Sequence, residues 1–293
     1  MRVLITGSAG FIGSHLSREL QDAGHPVAGM DIVAGWGQDA RVLENVRTAI
    51  KGHNAEVLVH LAVSDVGDDA MNAVREGAGM TAVVAQACRG LGVRLVVAST
   101  VEVYGDGGPM ACDESAAPAP TNLFAVNKLF GESLGGLYAP KGFTSLRLSR
   151  PYGPGQPVTS EIVNLLWRAK YGMPIQVEAE SESSWCWIGD TVRAIRMAIE
   201  RGDGVFNIGR DDDSVSLHDL AKMACNLTGA DSSIINVGGS LDEGEPRIST
   251  VKIRRLGWEP FVSLLEGMRR TLDSWVQHMD ENGFVPAPDM VAK

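Results

Sequence analysis

The sequence predicts an α/β protein with a doubly wound parallel sheet, and three observations support this. Apolar strands alternate with helical segments over the first half of the chain, a pattern typical of parallel sheets covered by helices on both faces. The chain opens on an apolar strand, Val3 to Ile5, followed at once by a glycine-rich turn and a helical segment from Phe11 to about Ala23. The 293 residues are 44% hydrophobic and 21% charged, enough for a large core and a second lobe.

The glycine-rich turn predicts a dinucleotide-binding site. Gly7 can adopt the backbone angles of a tight strand-to-helix turn, and Gly10 leaves room for a pyrophosphate. Gly13 allows the helix to pack closely against the strand. Phe11 and Ile12 open this helix, whose unpaired N–H groups face the phosphates, so both are assigned to the cofactor site. The arrangement is the fingerprint of a Rossmann-type fold.

The end of the second strand predicts which dinucleotide is bound. Residues 26–30 form this strand, and Asp31 and Ile32 follow it. A carboxylate at this place can accept hydrogen bonds from the adenosine ribose and would repel a 2′-phosphate. The predicted cofactor is therefore NAD, with a solvated strand end as the alternative interpretation of Asp31.

The third strand, over residues 56–62, ends at the same edge of the predicted sheet. Small residues there leave space for a flat cofactor, and Leu61, Ala62 and Val63 are assigned to its site. His60 is interpreted as a buried histidine satisfied by the backbone rather than as a catalytic group. Since the carboxyl ends of parallel strands meet at one edge, the glycine turn, Asp31, Ala62 and Thr100 should share a crevice.

The second half of the chain has shorter and more scattered elements, which predict a smaller C-terminal α/β lobe. We assign residues 1–150 and 185–208 to a dinucleotide-binding domain. Residues 151–184 and 209–293 are assigned to a substrate-binding lobe. Asp190 is predicted to cap the helix that follows it.

Charge and cysteine usage exclude several classes of function. The net charge is −10 and no basic cluster is present, so neither nucleic acid nor an anionic membrane surface is expected as a partner. No charged leader precedes the first strand and no apolar run reaches about 18 residues, which predicts a cytoplasmic location. The four cysteines lack metal-ligand spacing and are expected to be reduced thiols, with no metal site: Cys88, Cys112, Cys186 and Cys225.

Together these motifs resemble the NAD-dependent epimerase/dehydratase group of extended short-chain dehydrogenase/reductases. The resemblance implies transient oxidation of a sugar hydroxyl with return of the hydride, mainly on nucleotide sugars. It also implies a homodimer built on the helical segments 70–90 and 122–138. The motifs occur in family order: Gly7-x-x-Gly10-x-x-Gly13, Asp31, His60-Leu61-Ala62, Ser99-Thr100-x-x-Val103-Tyr104-Gly105, Lys128 with Gly131-Glu132, Tyr152-Gly153-Pro154-Gly155, Asn207-Ile208-Gly209 and Leu256-Gly257-Trp258-x-Pro260.

The same resemblance implies the catalytic residues, with one departure. The family transfers a proton through a tyrosine four residues before a lysine, and here Phe124 stands in that place before Lys128. Lys128 is expected to contact the nicotinamide ribose, and Thr100 the substrate oxygen that becomes a carbonyl. Glu102 matches the base of sugar-nucleotide dehydratases, although Val101 replaces their acidic neighbour. Glu102 is therefore either a substitute base or a solvent-facing carboxylate.

Further departures concern the substrate and the adenine ring. Arg150 and Arg247 are candidate contacts to the substrate's phosphates, with a plain surface position as the equal alternative for each. Glu76 occupies the place of a common asparagine. The segment between Asp31 and His60 is short, which predicts an abbreviated adenine pocket.

Three interpretations of Phe124 stay open from the sequence. The first is an introduced change of tyrosine to phenylalanine that traps substrate. The second is a natural enzyme that uses Glu102, Thr100 or substrate-assisted proton transfer. The third is a catalytically silent NAD-binding sensor or partner subunit. A ketoreductase acting on a substrate without a nucleotide is a further alternative to the nucleotide-sugar enzyme.

Overall fold

Strands and helices alternate from the first residues of the computed structural model, which describes residues 1–63, 73–106, 111–139, 142–178, 182–212, 214–238 and 245–282. The strands are β1 Val3–Thr6, β2 Val27–Met30, β3 Val57–His60, β4 Arg94–Thr100, β5 Phe143–Leu148, β6 Arg150–Tyr152, β7 Ile175–Glu178, β8 Glu182–Trp187, β9 Gly204–Ile208, β10 Ser214–Ser216 and β11 Ile235–Gly238. The helices are α1 Phe11–Asp22, α2 Leu43–His53, α3 Gly79–Leu91, α4 Leu123–Tyr138, α5 Glu161–Lys170, α6 Ile188–Arg201, α7 Leu217–Thr228, α8 Val251–Arg254 and α9 Leu264–Asn282.

The main sheet is parallel, with the strand order β2-β1-β3-β4-β5-β9. One of its faces is covered by α1 and α6, where Leu16 and Ile195 are completely buried. Its other face is covered by α2 and α3, through buried residues such as Val46 and Val84. Helices therefore lie on both faces, and the predicted doubly wound fold is confirmed.

A smaller lobe follows the main sheet. It contains a three-stranded sheet, β10-β8-β6, and a two-stranded sheet, β11-β7. A second core, with Leu166, Leu220 and Met268, joins α5, α7 and α9. Residues 185–187 lie in β8 of this lobe, whereas α6 and β9 return the chain to the main sheet. The exact division of the chain into two domains stays a prediction.

Two local predictions about helices are wrong. The spacing of apolar residues predicts Val74, Val83, Val84 and Ala87 on the buried face of a helix over 70–90. Val84 and Ala87 are completely buried, but Val74 is exposed in a π-helical segment, residues 73–78, that precedes α3; residues 70–72 lie outside the described part. Asp190 does not cap α6, since it lies within the first turn. Its carboxylate instead accepts hydrogen bonds from the N–H groups of Phe261 and Val262, at 3.0 and 2.9 Å.

His60 is buried as predicted, but its partners are side chains rather than the backbone. Its two ring nitrogens lie 2.7 Å from the Thr6 hydroxyl and 3.2 Å from the Thr81 hydroxyl. Burial, aided by the charge of Lys128, lowers the pKa of His60 to about 3. The ring is therefore neutral and joins β1, β3 and α3.

All four cysteines are buried and none is paired in a disulfide; their reduced state stays a prediction. Within the described ranges, no group of three or more His, Cys, Asp or Glu side chains is arranged to hold a metal ion. No helix in the same part of the chain is long and apolar enough to cross a bilayer.

Candidate functional site

The turn between β1 and α1 has the geometry that a pyrophosphate requires. Gly7 has φ +73°, a region that favours glycine, and a Cβ there would lie 2.7 Å from the Ala62 nitrogen. A Cβ on Gly13 would overlap the carbonyl oxygen of Gly7. Gly10 is the N-cap of α1 and supplies no side-chain cap, so the first N–H groups of the helix have no side chain in front of them. The turn therefore fits the diphosphate of a dinucleotide.

Asp31 is tied to this turn through its carboxylate. Its Oδ2 accepts a hydrogen bond from the Ala9 N–H at 3.0 Å, and its Oδ1 accepts one from the Val33 N–H at 3.2 Å. These two bonds fix the carboxylate between the glycine turn and the end of β2. Lone pairs remain on both oxygens for a ribose hydroxyl.

A cavity of about 180 Å³ opens beside Asp31. It is lined by predicted cofactor residues together with six that the sequence reasoning missed, of which Asp39, Ala40 and Arg41 follow one another in the chain; the other three are Met30, Gln38 and Met80. Arg41 bonds Asp39 through Nε at 2.9 Å and Glu76 through a terminal nitrogen, and it holds the pKa of Asp39 below its usual range. No periodicity marks this irregular segment, so only the folded chain reveals it. The predicted residues lining it are Gly7, Gly10, Asp31, Ile32, Leu61, Ala62 and Val63.

A second cavity, of about 350 Å³, adjoins the first through Leu61 and Val63. It brings together most of the predicted catalytic and substrate residues: Thr100, Glu102, Phe124, Lys128 and Arg150, with Ile12 at its edge. Arg247 is not among its described lining residues. That side chain is 64% exposed and lies 3.4 Å from Glu182, so it matches the surface interpretation.

Two predicted cofactor residues line neither cavity. Phe11 lies on α1 with its ring 5.2 Å from the ring of His15, packed edge-on. Gly13 acts through its closeness to Gly7, as described above. Both residues therefore shape the helix that faces the cofactor rather than the cavity wall.

Helix α4 places Phe124 and Lys128 on one face, one turn apart. Asn122 caps the helix by accepting a hydrogen bond from the Ala125 N–H at 2.8 Å. The Lys128 ammonium lies 5.3 Å from the centre of the Phe124 ring, which is 45% exposed. Burial lowers the pKa of Lys128 to about 8. The ammonium makes no hydrogen bond or ion pair with the described residues, so none of them competes with a ligand for it.

Thr100 and Glu102 form a hydrogen-bonded pair at the end of β4. The Thr100 hydroxyl donates to Glu102 Oε1 at 3.3 Å, and it accepts from the Glu102 N–H at 3.2 Å. Glu102 Oε2 accepts from the Asn122 amide at 2.7 Å. The carboxylate is therefore held between β4 and the start of α4 at the wall of the larger cavity.

Arg150 is held between two carboxylates at the far end of this cavity. It forms ion pairs with Glu161 and with Glu245, the latter at 3.1 Å between Nε and Oε1. The Glu245 side chain is only 6% exposed, and its Oε2 has no hydrogen-bond partner in the described part of the chain. Burial raises the pKa of Glu245 to about 7. Glu245 lies in an irregular segment, so no sequence pattern indicated it.

Comparisons with known proteins agree with this geometry. The model of the NAD dependent epimerase/dehydratase family matches residues 3–209. The UDP-glucose 4-epimerase of Mycolicibacterium smegmatis is 28% identical over 93% of this chain and 98% of that protein. The UDP-N-acetyl-alpha-D-glucosaminuronate decarboxylase of Bacillus cytotoxicus is 27% identical over 96% of this chain and 99% of that protein.

A solved structure extends the likeness to three dimensions. The crystal structure of the UDP-glucose 4-epimerase of Thermus thermophilus in complex with NAD superposes with a TM-score of 0.85 at 25% identity. The superposition covers 94% of this chain and 99% of that chain. The likeness therefore includes the smaller lobe as well as the main sheet.

Proposed function

Since this chain belongs to the NAD-dependent epimerase/dehydratase family, we propose that it is an enzyme that transiently oxidises a hydroxyl of a nucleotide sugar and returns the hydride. The observation that carries the proposal is the larger cavity, in which Thr100, Glu102 and Lys128 meet beside the residues of the cofactor site. NAD, when bound, supplies the hydride acceptor. Epimerisation is the reaction we favour, and ketoreduction is the runner-up.

The cofactor is held by charge and by backbone. The N–H groups at the start of α1 bind its diphosphate, and Asp31 binds the adenosine ribose. The unpaired Lys128 ammonium binds the nicotinamide ribose. Leu61 and Val63, which line both cavities, lie between these two ends.

Thr100 and Glu102 replace the missing phenol in this proposal. The Thr100 hydroxyl takes the proton of the substrate hydroxyl as it passes its own proton to Glu102 Oε1, along the 3.3 Å hydrogen bond. Return of the hydride reverses both transfers, so no proton is gained or lost. The Asn122 amide, bonded to Glu102 Oε2, keeps the carboxylate oriented for this relay.

One observation favours a second candidate, a catalytically silent NAD-binding sensor. Phe124 has no ionisable group at the place of the family's proton donor, and both oxygens of Glu102 already accept hydrogen bonds. In this alternative the chain binds NAD and communicates its presence without turnover.

Variants of the relay separate the two candidates. We expect Glu102→Gln to lower turnover of UDP-glucose by the NAD-loaded protein by about 100-fold or more, since a general base is lost. Thr100→Ala should also lower this turnover. NAD affinity, measured by calorimetry, should stay within about twofold because neither side chain is assigned to the cofactor. Product analysis over a panel of nucleotide sugars provides the measurement.

Glu44→Gln is the matched control, since this carboxylate is 74% exposed on α2 and lies outside both cavities. It should leave turnover unchanged. Thermal stabilisation of the unchanged protein by NAD with no product from any sugar would contradict the enzyme and favour the sensor.

We further propose a homodimer formed through α3 and α4. Several large apolar side chains of α4 are exposed besides Phe124, among them Leu123, Val126, Phe130 and Leu137. Such a stripe is costly in water, and a second copy of the helix pair would cover it.

The four free cysteines also support a reducing, cytoplasmic location.

The dimer predicts that Phe130→Glu shifts the protein to monomers. Sedimentation equilibrium should show the lower mass at concentrations where the unchanged protein is dimeric, because a carboxylate would then be buried at the interface. Phe261→Glu is the control, since Phe261 is also exposed but lies in the smaller lobe. An unchanged mass for Phe130→Glu would refute this interface.

A further inference from the structure

Carboxylates outnumber cations at the end of the larger cavity that holds Arg150. Glu102 and Glu245 line it, and Glu161 lies behind Arg150. Among the described residues, Arg150 is the cation at this end, and it forms ion pairs with Glu161 and Glu245. Its charge is therefore already neutralised before any ligand enters.

Arg150 is not easily released to a ligand. Its pair with Glu245 is largely buried, since the Glu245 side chain is 6% exposed. Withdrawing the guanidinium would leave a buried carboxylate without a counter-ion, which costs more than a surface ion pair returns. An anionic group of a substrate would thus have to compete with the Glu245 carboxylate for Arg150.

Lys128 offers no substitute at this end of the cavity. Its ammonium lies beside Phe124 on α4, and the proposed function assigns it to the nicotinamide ribose. Among the described residues that line the cavity, no other cation is present. A carboxylate on the substrate, brought close to Glu102 and Glu245, would be repelled by both. No free cation at this end would offset that repulsion.

We propose that the site selects a nucleotide sugar whose sugar ring is uncharged and rejects one that carries a carboxylate, and that Glu245 determines this specificity. The inference rests on the proposed function and names the substrate class for it. A neutral sugar brings only hydroxyl groups, which add no negative charge beside Glu102 and Glu245. A uronic acid brings a permanent negative charge to the same wall.

The discrimination should depend on pH through Glu245. The charged groups that face this carboxyl are Arg150, Glu161 and Glu102, with Lys128 across the cavity. Because its pKa is raised to about 7, Glu245 is charged at pH 8 and largely protonated at pH 6. Protonation removes one like charge and one competitor for Arg150, so rejection of a uronic acid should weaken as the pH falls.

Calorimetric binding to the NAD-loaded protein tests the inference without any turnover. At pH 8 we expect UDP-glucuronic acid to bind about 10-fold or more weakly than UDP-glucose. Glu245→Gln should reduce this ratio to about twofold, mainly by improving the affinity for UDP-glucuronic acid. Glu266→Gln, which changes a partly exposed carboxylate on α9 that pairs with Arg269 and Arg270 outside the cavity, is the matched control and should keep the original ratio.

The unchanged protein provides a second test that does not depend on how well a variant folds. Its ratio of affinities should be smaller at pH 6 than at pH 8. Equal or tighter binding of UDP-glucuronic acid at pH 8, or an unchanged ratio in Glu245→Gln, would overturn the inference and leave the proposed function standing. Failure of both nucleotide sugars to bind, with NAD bound, would instead overturn the proposed function and the inference with it.

Discussion

Phe124→Tyr is expected to raise turnover on a nucleotide sugar by about 100-fold or more. The Phe124 ring already lies 5.3 Å from the Lys128 ammonium and borders the cavity beside Thr100. A phenol has an ordinary pKa of about 10, and the neighbouring ammonium would lower it toward neutrality. The added hydroxyl needs little repacking because the Phe124 side chain is 45% exposed. Steady-state kinetics with NAD and UDP-glucose provide the measurement.

Phe124→Leu is the control for this gain. It alters the packing beside Lys128 without adding an ionisable group, so turnover should not rise. If Phe124→Tyr binds NAD and sugar normally yet shows no gain in turnover, proton transfer at this position does not limit the rate. The relay through Thr100 and Glu102 would then be sufficient, or the chemistry would lie elsewhere.

Gly13→Ala is expected to weaken NAD binding by about 100-fold or more and to lower the free energy of unfolding by about 2 kcal/mol. The added methyl group would overlap the Gly7 carbonyl oxygen, which belongs to the turn that faces the diphosphate. Relief of the overlap requires α1 to move away from β1. Its N–H groups would then no longer converge on the diphosphate. Calorimetry and urea unfolding measure the two effects separately.

Gly52→Ala is the matched control, because a Cβ at Gly52 meets nothing within 4 Å on helix α2. Alanine is the better helix former, so a gain of up to about 1 kcal/mol in stability with unchanged NAD affinity is expected. Normal NAD affinity in Gly13→Ala would show that the close approach of α1 to the turn is dispensable for binding.

Local chemistry made the main sheet predictable. Gly7 and Gly13 indicate the turn because only glycine suits the backbone angles of the first and the close contacts of both. Alternating apolar strands and helices require a parallel sheet, which in turn brings Asp31 and Thr100 to one edge. The helical spacing of Phe124 and Lys128 likewise follows from the chain itself. For the glycine turn and for the pair of Phe124 and Lys128, neighbours in sequence are also neighbours in space.

Partners from distant segments were not predictable in the same way. Aspartate is a residue type typical of helix caps, yet the Asp190 carboxylate accepts hydrogen bonds from backbone N–H groups about seventy residues away in the chain. His60 bonds two hydroxyls from different elements, at Thr6 and Thr81. A buried polar group forms hydrogen bonds with the partners that the folded chain places beside it. The spacing of residues in the sequence does not show which partners these are.

The sequence by itself determined the sheet, the glycine turn, the choice of NAD as cofactor and the place of Phe124 one helical turn before Lys128, because each depends on residue type at a fixed local spacing. Only the tertiary structure decided the charge of the larger cavity. It joined Arg150 to Glu161 and to Glu245, and it left Arg247 on the surface. The effect of a charged group depends on its burial and its counter-ions, and both are set by segments far apart in the chain.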